Sequence, residues 1–169
     1  IDRAAEEISR AFPGFPVVIS AGDVIKDSVD AKPALVLSTP GAQPQVSGGY
    51  AAVIVLDAIR FFSHTDINGQ ERARELLFET ASMVSVDGQV LLVLDDSHPI
   101  VAAIARWNIA PLLKRELAER VELKLPPSVS SAVLVTDQAV APVIVSGLKK
   151  ALEDSRLPTS TRIYGPTLL

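Results

Sequence analysis

The chain has no cysteine, only two histidines, and a single methionine and a single tryptophan among its 169 residues. Without thiols it can form no disulfide, thiolate nucleophile or Cys-based zinc or iron–sulfur site. His64 and His98 are too few for a His-rich cage, so no metal ligand and no catalytic residue is assigned. No apolar run approaches the ~18 residues of a membrane-spanning helix; the longest, YAAVIVL, is strand-sized, and no membrane partner is expected. Positive charge is also scarce: the formal net charge is −4, so any contact with nucleic acid must come from a local patch. The N-terminus, IDRAAEEISR, has no Met and no signal-peptide layout, as expected of a piece of a longer, cytoplasmic chain.

What is present is a core-forming composition, 48% hydrophobic and 21% charged. Ala4, Ile8, Ala11 and Phe12 share one helical face before Pro13-Gly14 stops the helix. The runs PVVIS, ALVLS, AAVIVLD and QVLLVLD read as strands, the central ones buried on both faces of a mainly parallel sheet. Between Gln70 and Val84 an apolar stripe of Ala73, Leu76, Leu77, Thr80, Ala81 and Val84 predicts a helix, with Glu71, Arg72, Arg74 and Glu75 largely outside the stripe. That helix is expected to run out through Val86 and to turn at Asp87-Gly88 into the next strand. Further helices are expected over IVAAIARW, with Pro99 in its first turn, and from about Ile109 to Glu122. In the latter, Leu113, Leu117 and Val121 recur every fourth residue, and Arg115/Glu119 and Glu116/Arg120 are helical neighbours. After LPPS come a strand SAVLVTD, a helix from about Ala139 to Glu153 and a strand TRIYGP. The expected organisation is an α/β domain over residues 1–127 and the opening of a second, truncated domain over 128–169.

Each polar cluster has two readings. The loop TPGAQPQVSGGY could cradle a phosphate, but it lacks a phosphate-loop pattern and leads into a strand, which favours an ordinary surface loop. Asp57, at the end of a strand, could hold a cation or orient a base, and is favoured as a solvated strand end. In LDDSHP, Asp95, Asp96 and His98 hint at acid/base or metal chemistry; the favoured reading is a strand-to-helix turn with Asp96 or Ser97 as N-cap. His64 and Asp66 read as solvated loop residues. Arg106, Lys114, Arg115, Arg120 and Lys124 form the densest basic stretch, with Trp107 beside it. The cations could contact phosphates and the indole could stack on a base. Glu116, Glu119 and Glu122 interleave them, so from composition a solvated helix with Trp107 half in the core is favoured.

Taken in order, AFPGFPVVIS, PALVLSTPGAQ, VIVLDA, DINGQER, GQVLLV, DSHPIVAAIARWN, LLKRELAERVELKLPPS and the late YGP resemble the PriA family of replication-restart proteins, also called primosomal protein N′. The resemblance covers nearly the whole chain and is most specific from Asp96 to Pro127. It implies a RecA-like, P-loop NTPase-like second helicase lobe over residues 1–127, with a mainly parallel sheet, followed by a partial α+β C-terminal domain. The family consists of ATP-dependent 3′-5′ DNA helicases that bind abandoned forks, cooperate with single-strand-binding protein and other primosome proteins, and help reload the replicative helicase. Zinc and ATP would belong to other parts of the full-length protein, and no cofactor is expected in this piece.

The sequence departs from the active pattern at two places. Where active members carry Lys-Gly-His-Asp after LVLST, this chain has PGAQPQVSGGY. The family's Q-x-x-G-R-x-x-R segment falls on Glu79 to Val86, placing Met83 and Val86 at its two arginine positions. Arginines there approach the γ-phosphate, and such residues are worth orders of magnitude in phosphoryl transfer. Their loss resembles the helicase-degenerate PriA proteins of high-GC Gram-positive bacteria and implies fork binding without helicase or ATPase activity. The competing class is a small free-standing α/β enzyme of phosphatase-like or nucleotide-sugar chemistry, using Asp57 and the edge from Asp95 to His98.

Overall fold

A computed structural model of the chain describes residues 1–63 and 66–166. It divides into two compact units, Ile1–Glu116 and Leu117–Leu169. The expected boundary was Pro127; the division falls earlier, inside a continuous helix.

In the first unit, helix α1 (Asp2–Ala11) is followed by strands β1 (Val17–Ser20), β2 (Ser28–Val29), β3 (Leu35–Ser38), β4 (Gln45–Val46) and β5 (Tyr50–Val55). A 3₁₀ helix (Ala58–Ser63), helix α2 (Gly69–Ser82), strand β6 (Val84–Leu92), helix α3 (Pro99–Ala105) and helix α4 (Ala110–Glu122) complete the order. Among the described residues these strands pair in parallel in three two-stranded sheets, β1 with β3, β2 with β4 and β5 with β6. The short strands β2 and β4 lie in stretches read from sequence as loop.

The core lies where α2 and α3 cover the β5–β6 ribbon. Ala58, Leu77, Ile100 and Ala103 are buried together, with Val55, Phe61, Phe62, Phe78, Leu92, Leu94 and Leu112 packed around them. Strand alternation sends Val53, Val55, Val90 and Leu92 toward this side. It sends Ile54 and Leu91, partners in the ladder, to the other side, where they are 56% and 57% exposed. The expectation of strands buried on both faces is therefore corrected: the helices cover one face of the ribbon, and Ile54, Leu56, Leu91 and Val93 stand on the other.

Helix α1 buries Ala5 and half-buries Ala4 and Ile8, whereas Ala11 and Phe12, expected on that face, are exposed. Helix α2 buries Ala73, Leu77, Thr80 and Ala81 as its stripe requires. It also buries Arg74, contrary to the sequence reading, because the guanidinium reaches the Glu116 carboxylate of α4 at 2.5 Å. On α4 itself, Leu113 is exposed although its spacing suggested a core stripe.

In the second unit, Leu117 and Val121 of α4 are likewise exposed, and helix α5 (Ala141–Glu153) forms close to its expected limits. The two strands expected beside it do not form. Residues 131–137 and 161–166 belong to no strand, and Val133, Leu134 and Val135 are exposed. Their β-branched composition favours extended backbone, but among the described residues they have no ladder partner, and a strand exists only when paired.

Candidate nucleic-acid interface

The junction from Glu79 to Val86 is built differently from the sequence reading. Helix α2 ends at Ser82 with Met83 as its C-cap, the Met83 N–H donating to Thr80 O at 3.2 Å. Tyr50 N then donates to Met83 O at 2.8 Å, and Val84 already pairs with Tyr50. The helix does not run through Val86, and Asp87-Gly88 is no turn between helix and strand. Both residues lie within β6, in an irregularity where Ala52 next pairs with Gln89. Two glycines make this possible. A Cβ on Gly49 would meet Ser85 N at 2.6 Å, and one on Gly88 would meet Tyr50 O at 2.7 Å. Gly49 also has a φ of +82°, a conformation that favours glycine. The extra residues are pushed outward, and Val86 stands fully exposed while Met83 is half-buried. Neither side chain carries charge.

The loop after β3 is tied down, not free. Ala42 and Pro44 are buried, and the buried Ser20 hydroxyl donates to Ala42 O at 2.7 Å. Gln43 Nε2 donates to Thr80 Oγ1 of α2 at 3.1 Å, and the Tyr50 hydroxyl donates to Pro44 O at 2.6 Å, with burial raising the Tyr50 phenol above its usual range. The surface-loop expectation holds only for exposed Thr39, Pro40, Gly41, Gln45, Ser47 and Gly48.

The acidic edge is occupied by local structure. Asp57 lies 3.7 Å from Arg60 in an exposed ion pair and accepts the Arg60 N–H through its backbone carbonyl, opening the 3₁₀ helix. Asp95 Oδ1 accepts the Ser97 hydroxyl at 2.6 Å and the Ser97 N–H at 2.9 Å, which holds its carboxyl below the usual range. The N-cap of α3 is neither Asp96 nor Ser97, as expected, but His98, whose Nδ1 accepts the Ile100 N–H at 3.3 Å. With Asp95 turned back on Ser97, the chain enters the helix one or two residues later than the sequence suggested. The His98 ring also lies against Phe62, with centroids 4.5 Å apart. Asp66 pairs with Arg72 and accepts the Asn68 N–H at 3.0 Å; His64, read with it as a solvated pair, lies outside the described residues. Among the described residues no group of three or more His, Cys, Asp or Glu is arranged to hold a metal ion.

The basic candidates fall in both units. In the first, Arg106, Trp107, Lys114 and Arg115 are all exposed. Trp107 sits in the left-handed region, φ +47°, immediately after α3. Asn108 N donates to Ala103 O at 2.9 Å and Trp107 N to Ile104 O at 3.0 Å, the two bonds of a Schellman cap. Asn108 Oδ1 then accepts the Ala110 N–H at 3.2 Å and starts α4. Trp107 is 58% exposed, less buried than the sequence suggested, with its ring tilted against Phe78 at 5.2 Å.

In the second unit, Arg120 Nη1 donates to Pro126 O at 2.8 Å, so this cation closes the end of its own helix. Lys124 repeats the left-handed cap, φ +55°, with Leu125 N donating to Arg120 O at 2.8 Å. The Arg74–Glu116 pair was not read as a partnership from sequence. A lone Arg on the flank of an apolar stripe was its only signal.

No family model matches the chain, and no solved structure matches it. Curated proteins do. It is 39% identical over 168 residues to a "Probable replication restart protein PriA" of Mycobacterium leprae, across 97% of this chain and 25% of that protein. It is 37% identical over 169 residues to proteins of the same name from Mycobacterium tuberculosis and Mycobacterium bovis, across 98% of this chain and 25% of theirs. The chain thus spans about a quarter of the length of the curated relatives it matches. No helix among the described residues is long and apolar enough to cross a membrane. From end to end, the chain is similar to one segment of these replication restart proteins named PriA.

Proposed function

We propose that this chain is the RecA-like second helicase lobe, with the opening of the C-terminal domain, of a replication-restart protein that binds abandoned or stalled forks without helicase or ATPase catalysis of its own. In this reading the full-length protein acts in the cytoplasm with single-strand-binding protein and other primosome proteins to help reload the replicative helicase. The parallel β5–α2–β6 unit with its helix packed on one face supports the RecA-like assignment. One observation carries the loss of catalysis: the two positions where the family resemblance implies arginines hold Met83, half-buried at a helix end, and Val86, exposed on a bulge. Neither a thioether nor an isopropyl group can neutralise charge developing on a transferring phosphoryl group. The chain's residues do not fit zinc, having no cysteine, so any zinc in the full-length protein is held outside this segment. ATP, likewise, would be held by another lobe.

The test is ATP hydrolysis by the full-length protein on forked DNA, beside fork binding measured by fluorescence anisotropy. Fork binding with no DNA-stimulated turnover is expected. Robust turnover abolished by a change between Glu79 and Val86 would overturn the reading.

A further inference from the structure

We infer that Trp107 is a preformed stacking platform for an unpaired base, so that the α3–α4 corner selects single-stranded over duplex DNA; this rests on the fork-binding reading above. The residue after a helix C-cap in a Schellman turn is held left-handed, where glycine is free of strain and a bulky side chain is not. Here that position carries the largest side chain in the repertoire, and it is the only tryptophan of the chain. A side chain kept where the backbone disfavours it points to a role for the side chain. Core filling does not supply that role, because more than half of the residue faces solvent and, among the described residues, the ring's one aromatic contact is with Phe78.

The surroundings suit an aromatic platform. The Schellman bonds fix the backbone on one side of Trp107 and the Asn108 cap fixes it on the other. Phe78, rooted in α2 beside the buried Leu77, props the indole from beneath. A ring already ordered loses little freedom when a base stacks on it. Every base offers a π-face, so such a platform is tolerant of sequence; bases paired within a duplex do not offer theirs. Arg106, next in the chain, and Lys114, early in α4, are exposed and in no ion pair among the described residues. They supply charge for the phosphates on either side of a stacked base.

The experiment compares full-length wild-type protein with Trp107→Gly and Trp107→Phe, using labelled oligothymidine and a blunt duplex in anisotropy titrations, with thermal melting alongside. Trp107→Gly is expected to weaken oligothymidine binding roughly 10-fold, to leave duplex binding unchanged, and not to lower the melting temperature. Trp107→Phe should recover most of the binding. The inference is overturned if Trp107→Gly binds oligothymidine like wild type, or loses both probes equally. It is also overturned if the glycine variant melts lower and the phenylalanine variant restores melting with binding untouched, since the ring would then be packing alone. Wild-type protein that bound no fork at all would sink the proposed function together with the inference. Intact single-strand binding by Trp107→Gly would sink the inference alone.

Discussion

At the scale of single residues, the informative side chains are those placed against their type. Arg74 is a charge on the buried side of α2, and it is tolerable there only because the Glu116 carboxylate meets it. Removing one partner leaves the other desolvated and uncompensated, and replacing both by apolar groups does not. Arg74→Ala should therefore destabilise the chain by roughly 3 kcal/mol, while Arg74→Met with Glu116→Leu should unfold close to wild type in urea. Equal losses for the single and double variants would show that the pair itself is not what the site requires. Periodicity alone could not reveal this pair, because an Arg flanking an apolar stripe is usually a solvated residue whose stem lies along the helix. The partner is more than forty positions away in the chain, and only the packing of α4 brings it within reach.

At the scale of elements, termini depended on hydrogen bonds that compete with the pattern. The expected end of α2, at Val86, lies four residues past Ser82 because Val84 satisfies a helical spacing as well as a strand pairing, and Tyr50 captures it for the strand. The cap of α3 shifted for a related reason: Asp95 bonds Ser97 locally, so His98 becomes the residue that receives the first free N–H. His98→Ala removes that acceptor and should cost about 1 kcal/mol, seen as a lower urea midpoint with an unchanged slope. His98→Asn, which restores a capping oxygen, should recover most of it. If alanine and asparagine variants were equally unstable, the contact of the imidazole with Phe62 would be the dominant contribution instead. The α-helices themselves were legible, and so was the presence of β1, β3 and β5, since their apolar spacing and bounding Pro and Gly left few alternatives. The strands expected over residues 131–137 and 161–166 were not found, because strand propensity has no structural outcome without a neighbouring edge.

At the scale of the whole molecule, charge is spread so that only local patches can meet DNA. The formal charge of −4 opposes a polyanion, and the basic candidates are partly committed: Arg120 to Pro126, Arg115 to further interactions of its own. Lys114 and Arg106 are exposed and in no ion pair among the described residues, so the proposed fork binding would draw on them. Replacing both by Glu in the full-length protein should weaken fork binding and flatten its dependence on salt by about one unit of slope per lost phosphate contact, as read from anisotropy over a salt series. An unchanged slope would remove this corner from the interface. Of the candidate positions, the basic stretch and the uncharged Met83 and Val86 were visible in the letters. Sequence did not show which cations were already engaged, since that depends on the ends of α4 and on Pro126.

The sequence by itself determined helices α1 to α5 and strands β1, β3 and β5 in their order, the absence of cysteine thiols, the likeness to PriA proteins and the uncharged side chains of Met83 and Val86. These follow from side-chain type and spacing, which are local properties. Only the tertiary structure decided that Val86 stands outward on a bulge pinned by Gly49 and Gly88, that Arg74 is buried on Glu116, and that Trp107 is held left-handed and exposed. Those depend on where distant backbone arrives, and hydrogen-bond partners and free volume are fixed only when it does.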